Sequence, residues 1–293
     1  TGTNGKTTST YLLKHILEQT LGAKVGLIGT IQNMIGDEVL HTERTTPESF
    51  ELQKLFAEMK AAGCTHVIME VSSHALVLHR ADQIAFRVGV FTNLTEDHLD
   101  FHKTMDAYCD AKAMLFTRCR TGVVNVDDAY AGRILAQASC RCLTYSAQQP
   151  ASLRAKHLQL LSDRVEFDAE YDGQTQPVTL GIPGIFSVYN ALGVIGAALA
   201  LEIPLPAIAD AVGGRMTILV DGGIRTGMDV FKALALGADA VLIGRPFVNM
   251  VYGGGAEGVQ VYVDKLKAEL ADTMAMCGAH KLSDIKRSML FGY

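Results

Sequence analysis

The sequence contains no tryptophan, and its 6 cysteines include no Cys-x-x-Cys pair. The cysteines are scattered along the chain at Cys64, Cys109, Cys119, Cys140, Cys142 and Cys277. Cys140 and Cys142 are separated by one residue, a spacing that suits neither a common zinc site nor a disulfide framework. We therefore predict reduced thiols in a cytoplasmic protein.

Long apolar runs and an excess of positive charge are also missing. The nearest approach to a membrane span is Ala191–Leu201, which is shorter than the ~18 residues required and predicts a buried helix instead. The net charge of −5 argues against nucleic acid as a main partner, because binding a phosphate backbone requires a basic surface. We expect neither a membrane nor a nucleic acid as partner.

The length of the chain allows one large domain or two ordinary ones. Its 293 residues are 48% hydrophobic, which is enough for a sizeable buried core. No signal peptide is visible, and the sequence begins inside a glycine-rich motif. We therefore expect the native amino terminus to lie upstream.

Apolar runs alternate with helical segments in the first half of the chain. Buried strands are predicted at Lys24–Ile31, Thr65–Val71 and Arg87–Asn93. Helices are predicted from Thr7 to about Leu21 and from Thr46 to about Ala62, since Pro47 suits a first helical turn. This alternation predicts a parallel sheet with crossover helices.

The pattern changes twice in the second half. Apolar and polar residues alternate over residues 157–181 around the turn Asp172-Gly173, which predicts a small antiparallel sheet beside the parallel one. Helices follow to about Val212. After Gly213-Gly214, two β-α units are predicted, with strands at Thr217–Asp221 and Ala240–Gly244 and helices at Met228–Leu236 and Glu257–Met276. We therefore predict domains at residues 1–212 and 213–293.

A glycine-rich segment precedes the first predicted helix and reads Gly2-Thr3-Asn4-Gly5-Lys6-Thr7-Thr8. Glycines let backbone amides approach an anion, and the helix amino terminus and Lys6 add to the cradle for phosphates. Thr7 is placed to help hold Mg²⁺. The alternative is a glycine-rich turn with a chance lysine, but here the lysine opens a helix, as a phosphate loop requires. We predict ATP and Mg²⁺ as ligands.

Polar residues follow two of the predicted strands. Glu70 lies at the end of one, while Asn93 ends the next and is followed by His98. The carboxyl ends of parallel strands form the ligand-binding edge of an open sheet. Glu70 and His98 are therefore expected to share one Mg²⁺ with nucleotide phosphates. The alternatives are that Glu70 is an ordinary strand-end carboxylate and His98 a helix cap.

Several motifs occur together in the first half: Thr1-Gly-Thr-Asn-Gly-Lys-Thr-Thr8, Thr45-Thr46-Pro47, Met69-Glu-Val-Ser-Ser-His-Ala-Leu76, His79-Arg80 and Thr92-Asn-Leu-Thr-Glu-Asp-His-Leu-Asp100. In this order and at these spacings they resemble the Mur ligases. Within that family the match is to the ligases that add the third amino acid to UDP-N-acetylmuramoyl-L-alanyl-D-glutamate in peptidoglycan synthesis. The resemblance covers residues 1 to about 212 and implies a phosphate-loop α/β central domain.

The resemblance also implies roles for individual residues. Lys6 and Thr7 would bind the ATP phosphates and Mg²⁺, with Glu70 and His98 as metal ligands. The residues implied to contact the UDP-sugar dipeptide are Thr45, Thr46, Ser73 and Arg80. Those implied to lie near the nucleotide are Asn93, Asp127 and Asn190. Ser187 stands where the family usually has asparagine, which weakens the match on the adenine side.

The family further implies a two-step reaction. ATP phosphorylates the substrate carboxylate to an acyl phosphate, and the incoming amino group then displaces phosphate. The implied catalytic residues are Lys6, His98 and Lys112, and Lys112 matches a carbamylated lysine that serves as an anionic oxygen ligand of Mg²⁺. The alternative is that Lys112 is an ordinary surface lysine. Lysine and diaminopimelate both remain open as the added amino acid.

A second resemblance covers the remainder of the chain. Ile218–Gly227 and Ala233–Phe247 resemble the last two β-α units of FMN-dependent α-hydroxy-acid oxidases, such as lactate oxidase, which have a (β/α)₈ TIM barrel. The residues implied to contact the phosphate end of FMN are Asp221, Gly223, Arg225, Gly244 and Arg245. Glycine amides and the planar arginine fork both suit a phosphate. The alternative, which we favour, is a barrel fragment that serves only packing, because the Ser-Asn-His-Gly-Gly-Arg segment with the catalytic base is absent.

The two resemblances together indicate a chimera joined near Ile208–Met216. The Asp-Asn-Pro-Arg signature of the carboxyl-terminal ligase domain is absent from the chain, so we expect impaired ligation. The alternatives are a flavin oxidoreductase fragment and a nucleotide-binding protein without turnover. Two strands cannot close an eight-stranded barrel, and their open edges would allow oligomerisation.

Overall fold

The computed structural model of the protein describes residues 1–212, 219–221, 223–238 and 240–290. They form two compact units. The first contains most of residues 1–212, and the second contains the described residues from 219 onward together with the short segments 161–164 and 181–183. The predicted domain boundary after residue 212, and part of the predicted join, lie outside the described residues.

The first sheet of the first unit has four strands in the order β3-β2-β1-β4. Its elements are α1 (Lys6–Leu21), β1 (Val25–Ile28), β2 (Asn33–Ile35), β3 (Glu38–Leu40), α2 (Ser49–Ala61) and β4 (His66–Met69). β1 pairs parallel with β4, whereas β1, β2 and β3 pair antiparallel in succession. The single predicted strand over Lys24–Ile31 was too long, because the chain leaves the sheet after Ile28 and returns as β2.

The second sheet has six strands in the order β10-β9-β8-β7-β6-β5. The strands are β5 (Phe86–Phe91), β6 (Cys119–Asn125), β7 (Arg141–Ser146), β8 (Leu153–Leu160), β9 (Val165–Tyr171) and β10 (Gln174–Leu180). β5 to β8 run parallel, and β8 to β10 pair antiparallel. The predicted separate antiparallel sheet is therefore wrong, since β8 pairs with β7 through Tyr145 and Leu153 and extends the same sheet.

The turn between β9 and β10 lies where its sequence predicted it. Asp172 and Gly173 have φ values of 48° and 74°, the left-handed backbone that a tight hairpin turn needs. Residues 174 to 180 then pair in continuous register with β9. The short-range turn chemistry was thus readable from the sequence, although the place of this hairpin in the larger sheet was not.

The remaining helices of this unit are α3 (Ser73–Val77), α4 (Leu99–His102), α5 (Met105–Ala113), α6 (Ala131–Gln137), α7 (Ile185–Ala200) and α8 (Leu205–Val212). Helix α7 is apolar around most of its circumference, and most of its residues are buried, as expected for a helix in the core. A Cβ atom added to Gly196 would lie 2.7 Å from Cγ1 of Val123. Glycine therefore lets α7 lie directly on β6.

A channel of about 600 Å³ lies between strands β4 and β5. These strands belong to the two different sheets, and within the described part of the chain neither is paired along the edge that faces the channel. Leu13 and Leu17 of α1 close one side and Val194 of α7 contributes to the wall. The backbone nitrogen of Thr1 donates a hydrogen bond to the Val90 carbonyl oxygen at 2.7 Å beside this channel.

The described residues of the second unit include two short parallel strands and two α-helices. Its elements are β11 (Leu219–Asp221), α9 (Gly227–Ala235), β12 (Ala240–Leu242) and α10 (Arg245–Met276). Strands β11 and β12 pair through Leu219 and Ala240. Helix α10 starts 12 residues before the predicted Glu257 and is kinked at Gly255, where φ is 57° and ψ is −140°. None of the helices that the structure describes is both long and apolar enough to cross a bilayer.

The close contact of α7 with β6 gives a test of the core. Gly196→Ala places a methyl group against Val123, which is fully buried, so we expect a loss of about 1–3 kcal/mol in the free energy of unfolding. The free energy of unfolding is measured by urea denaturation, with circular dichroism as the signal.

The matched control is Gly132→Ala in α6, where an added Cβ meets no atom within 4 Å. Because alanine favours helix by up to about 1 kcal/mol over glycine, this variant should be as stable as the wild type or more so. Equal unfolding midpoints for the two variants would show that α7 is not closely packed at Gly196.

Candidate active site

The phosphate loop has no room for side chains at its two glycines. Gly2 has a φ of 154° and Gly5 a φ of 81°. A Cβ atom would lie 1.9 Å from Thr92 Oγ1 at Gly2 and 2.2 Å from Asn190 Oδ1 at Gly5. The loop thus requires glycine at both positions, and its backbone packs directly against the end of β5 and against α7.

Hydrogen bonds hold this loop to the segment that follows β5. The Asn4 amide donates to Asn93 Oδ1 at 2.9 Å, and Asn93 Nδ2 donates back to the Asn4 carbonyl oxygen at 3.1 Å. Thr92 Oγ1 donates to the same carbonyl at 2.7 Å. Asn93 and Asn190, predicted to lie near the nucleotide, are both brought to the loop itself.

Lys6 lies across the loop at the start of α1. Its Nζ donates to the carbonyl oxygens of Gly2 at 3.0 Å and Thr3 at 2.9 Å. Burial lowers the pKa of this ammonium group, while the neighbouring carboxylates of Glu70 and Asp97 act in the opposite direction. A cation that has only carbonyl partners inside the loop is well placed to bind an anion.

Glu70 is buried directly after β4 and connects three segments. Its Oε1 accepts hydrogen bonds from Thr7 Oγ1 and from the Thr30 amide, both at 3.0 Å. Its Oε2 accepts one from Thr30 Oγ1 at 3.0 Å. A Cβ on Gly29 would lie 2.5 Å from Oε1. Gly29 and Thr30 were missed in the sequence, and the only signal was a glycine at the end of a buried strand.

The carboxylate of Glu70 and the hydroxyl of Thr7 are an oxygen donor set of the kind that Mg²⁺ prefers. Among the described residues, no three His, Cys, Asp or Glu side chains are grouped as a ready metal site. Mg²⁺ ordinarily uses one or two protein ligands and completes its shell with water and substrate phosphates. The residues present therefore fit a magnesium ion that arrives with a nucleotide.

His98 lies at the N-cap position of α4 with a φ of 53° and makes no capping hydrogen bond through its side chain. Its exposed ring lies 5.0 Å, centroid to centroid, from the ring of His74, and Nε2 is 3.5 Å from Asp97 Oδ2. The alternative that His98 is a helix cap is thus confirmed for its position, although its side chain makes no capping hydrogen bond. The ring is accessible to a ligand from solvent.

Lys112 is only 1% exposed, so its interpretation as a surface lysine is wrong. Burial, with a smaller contribution from Lys6, lowers its pKa to about 7. Nζ lies 4.3 Å from the ring centroid of Tyr108, whose hydroxyl is 3.4 Å from Thr3 Oγ1. Tyr108 joins α5 to the phosphate loop, and no sequence signal identified it.

Three of the predicted substrate residues lie near the end of β4. Thr46 Oγ1 donates to the Glu70 carbonyl oxygen at 2.8 Å, and Thr45 Oγ1 is 3.0 Å from Thr30 Oγ1. Arg80 reaches the Thr46 carbonyl at 3.4 Å and pairs with Glu48 Oε1 at 2.7 Å. Thr45 and Arg80 form a half-buried polar surface beside Glu70, whereas the Thr46 side chain is buried.

Ser73, like Thr46, is buried. Its Oγ lies 2.8 Å from Nε2 of His102, and the His102 ring stacks on Tyr108 with centroids 4.8 Å apart. Burial, followed by the charges of His74 and Lys112, lowers the pKa of His102 to about 4. The imidazole is therefore neutral at pH 7, and it holds Ser73 in place at the start of α3.

Asp127 and Thr8 are the other residues predicted on the nucleotide side. Asp127 accepts hydrogen bonds from Ser146 Oγ at 2.6 Å and from the Ala147 amide at 2.8 Å, so it orders the end of β7. Thr8 is half-buried on α1.

The neighbouring Asp128 accepts a hydrogen bond from the Leu94 amide at 2.7 Å, and burial raises the pKa of its carboxyl group.

In the second unit, the predicted FMN residues follow two neighbouring parallel strands. Gly223, with a φ of 77°, and Arg225 follow β11, whereas Gly244 and Arg245 follow β12. Asp221 is the last residue of β11. The structure thus brings these residues to the same edge of a two-stranded sheet, with both arginines exposed.

The Mur ligase middle domain family matches residues 1–198, and the FMN-dependent dehydrogenase family matches residues 194–291. The chain is 47% identical over 212 residues to a UDP-N-acetylmuramoyl-L-alanyl-D-glutamate–2,6-diaminopimelate ligase of Clostridium botulinum, covering 72% of this chain and 44% of the relative. It is 40% identical over 298 residues to the ligase of the same name from Caldanaerobacter subterraneus, covering 92% and 62%.

Solved structures agree with these relatives. A UDP-N-acetylmuramoyl-L-alanyl-D-glutamate–2,6-diaminopimelate ligase aligns with a TM-score of 0.67 and 27% identity over 80% of this chain and 51% of that one. MurF from Acinetobacter baumannii, at 19% identity and a TM-score of 0.61 over 73% and 45%, shares the fold. The predicted α/β fold is confirmed, with mixed sheets in place of separate parallel and antiparallel ones. The two TIM-barrel units stay a prediction.

The buried amine of Lys112 predicts a pH dependence of stability. An unfolded lysine has a pKa of about 10.4, whereas the folded value is about 7. Between these values the unfolded state binds more protons, so stability rises with pH. The wild type should gain up to about 1.4 kcal/mol per pH unit in this window relative to Lys112→Met.

Urea denaturation at several pH values in CO₂-free buffer measures this difference. Lys60→Met, which alters an exposed lysine of α2, is the control and should follow the wild-type pH profile. A Lys112→Met profile parallel to that of the wild type would contradict a lowered pKa.

Proposed function

The chain belongs to the Mur ligase middle-domain family, and on this premise we propose that its first unit binds Mg-ATP for an amide-bond ligase of peptidoglycan synthesis. One arrangement carries the proposal. Lys6 lies inside a loop whose glycines admit close anion contact, and Thr7 joins that loop to the buried carboxylate of Glu70 at 3.0 Å. A phosphate chain with its magnesium ion needs these partners together.

The proposed reaction forms an amide bond in two transfers. The γ-phosphoryl group of ATP passes to a carboxylate oxygen of UDP-N-acetylmuramoyl-L-alanyl-D-glutamate, and ADP leaves. The incoming amine then attacks the acyl carbon, phosphate departs and the nitrogen loses a proton. Lys6 offsets charge on the phosphoryl oxygens, and the loop amides orient them. Mg²⁺, held by Thr7, Glu70 and His98, would supply further charge neutralisation.

Lys112 has the property that carbamylation requires. Carbon dioxide reacts with a neutral amine, and the pKa of about 7 leaves a large neutral fraction at physiological pH. The amine gains CO₂ and releases one proton, so the product is an anionic carbamate that would provide an oxygen ligand for magnesium. We assign this role to Lys112 on the strength of its burial beside Tyr108.

The polar surface beside Glu70 is proposed to hold the UDP-sugar dipeptide. Thr45 and Arg80 present a hydroxyl and a guanidinium group there. The buried Thr46 and Ser73 support the surface through their contacts with the Glu70 carbonyl and with His102. The names of the relatives favour diaminopimelate as the added amino acid. The chain spans 44% and 62% of these two relatives, and we propose that it ligates weakly on its own, in the cytoplasm.

Binding of Mg-ATP tests the proposal. Lys6→Ala removes charge-assisted hydrogen bonds worth about 1.5–3 kcal/mol, so titration calorimetry should show at least about tenfold weaker binding. The control Lys60→Ala removes an exposed lysine of α2 and should bind as the wild type does. If the wild type, Lys6→Ala and Lys60→Ala bind Mg-ATP with equal affinity, the proposed site is wrong.

Phosphate release then separates a ligase from a protein that only binds nucleotide. Release that depends on the UDP-sugar dipeptide supports the ligase. Tight Mg-ATP binding without any release supports the alternative of a nucleotide-binding protein without turnover.

A second candidate function rests on the match of residues 194–291 to the FMN-dependent dehydrogenase family and on Arg225 and Arg245 at one sheet edge. We propose instead that this unit serves packing, since its strands are short and Gly227 fits closely against α10, with an added Cβ 2.3 Å from the Leu270 nitrogen. Purified protein should then show no flavin absorbance, even after incubation with FMN. A flavin spectrum that is lost in Arg225→Ala would establish the alternative.

A further inference from the structure

Three of the six cysteines meet at one end of the second sheet. Cys119 Sγ lies 3.5 Å from Cys140 Sγ, which in turn lies 4.0 Å from Cys142 Sγ. All three are free thiols. We call these three residues the thiol row, with Cys140 in its middle. Their spacing in the sequence gave no indication of this cluster, because Cys119 is distant in the chain.

The pairing of β6 with β7 explains the cluster. The strands run parallel, with Thr121 opposite Arg141 and Gly122 opposite Cys142. Cys119 therefore begins β6 at the same end of the sheet at which Cys140 precedes β7. Both strands enter the sheet there, whereas their other ends lead to Asn125 and Ser146.

Gly122 makes room for the thiol row. A Cβ atom at this position would lie 2.9 Å from Cys142 Sγ and 2.8 Å from Cδ1 of Phe116. Any larger residue would have to displace the Cys142 thiol or the Phe116 ring. The position of the Cys142 sulfur thus depends on a residue that has no side chain.

We propose that Cys119 and Cys140 form a reversible disulfide that ties the amino ends of β6 and β7 together. A disulfide needs a sulfur separation of about 2.05 Å. The present separation of 3.5 Å is longer than this, so the two side chains must rotate toward each other for the bond to form. The 4.0 Å contact with Cys142 places a third sulfur beside the bond, where it competes for Cys140.

The reaction needs a small disulfide, such as oxidised glutathione, as the oxidant. The Cys140 thiolate attacks one of its sulfurs, so that a mixed disulfide forms and one small thiolate leaves. Cys119 then loses its proton and attacks the Cys140 sulfur, which expels the second small thiolate. In sum, two protein S–H bonds are replaced by one S–S bond, and the small disulfide is reduced to two thiols.

Accessibility sets the order of these steps. Cys140 is half-buried, whereas Cys119 is 9% exposed, so the small disulfide reaches Cys140 first. Burial, together with contact with the Cys140 thiol, raises the pKa of Cys119 to about 12. Burial also raises the pKa of Cys142 to about 11. Since the thiolate is the nucleophile, closure is slow at neutral pH and accelerates as the pH rises.

The disulfide would change the stability of the first unit and not the nucleotide affinity of the phosphate loop. The loop contacts Thr92, Asn93 and Asn190, at the opposite end of the sheet. Closing the ring between Cys119 and Cys140 restricts the unfolded chain. Oxidation should therefore raise the thermal midpoint of the first unit and leave nucleotide affinity unchanged.

Mass spectrometry of the full chain tests the proposal. After incubation with excess oxidised glutathione, the wild type should lose about 2 mass units, because two hydrogens leave. Digestion should yield a peptide that links Cys119 to Cys140. Cys142→Ser and the control Cys64→Ser should still form this bond, whereas Cys119→Ser and Cys140→Ser should not. Dithiothreitol should restore all 6 thiols.

Several results would overturn the proposal. They are a wild type that keeps every thiol, a glutathione adduct on Cys140 that never resolves, and a linkage that joins other cysteines. Circular dichroism before digestion shows whether each variant is folded. Because peptide mapping of the wild type needs no substitution, the result holds even if Cys119→Ser unfolds.

Discussion

The close approach of the phosphate loop to Thr92 and Asn190 is the constraint on which the first unit depends. There is no space for a side chain at Gly2 or Gly5, so the loop backbone itself is the contact surface between α1, the end of β5 and α7. Asn93 then binds the loop at both its amide and its carbonyl. The same contact that packs the helices also aims the loop amides, so folding and anion binding share one set of interactions.

Charge in the site follows from burial. Lys6 and Lys112 both lie in surroundings that disfavour an ammonium ion, and Glu70 is a buried carboxylate that accepts hydrogen bonds from Thr7 and Thr30. Burial lowers the pKa of both ammonium groups, and the charge of Lys6 lowers that of Lys112 further. Keeping either group charged therefore costs free energy in the protein without a ligand. An added polyanion relieves that cost. The preference for a phosphate chain thus comes from the arrangement as a whole.

The site residues that lie at strand ends could be predicted from the sequence. Glu70 after β4 and Asn93 after β5 both border the phosphate loop, because loop and strand ends obey short-range rules. Thr30, Tyr108 and His102 were not predicted from the sequence, because their roles depend on contacts between side chains from distant segments. The alternation of apolar residues in β8 to β10 also did not show that β8 pairs with β7. Alternation indicates a strand and its buried face, but it does not indicate the strand with which it pairs.

Asn190 connects the hydrophobic core to the phosphate loop. It lies on α7, whose residues are largely buried, and its side chain packs on Gly5. Opening of the loop at Gly5 would therefore remove a packing partner of the Asn190 side chain. Motion of the loop and packing of α7 are coupled through this contact, which links fluctuations of the anion site to those of the hydrophobic core.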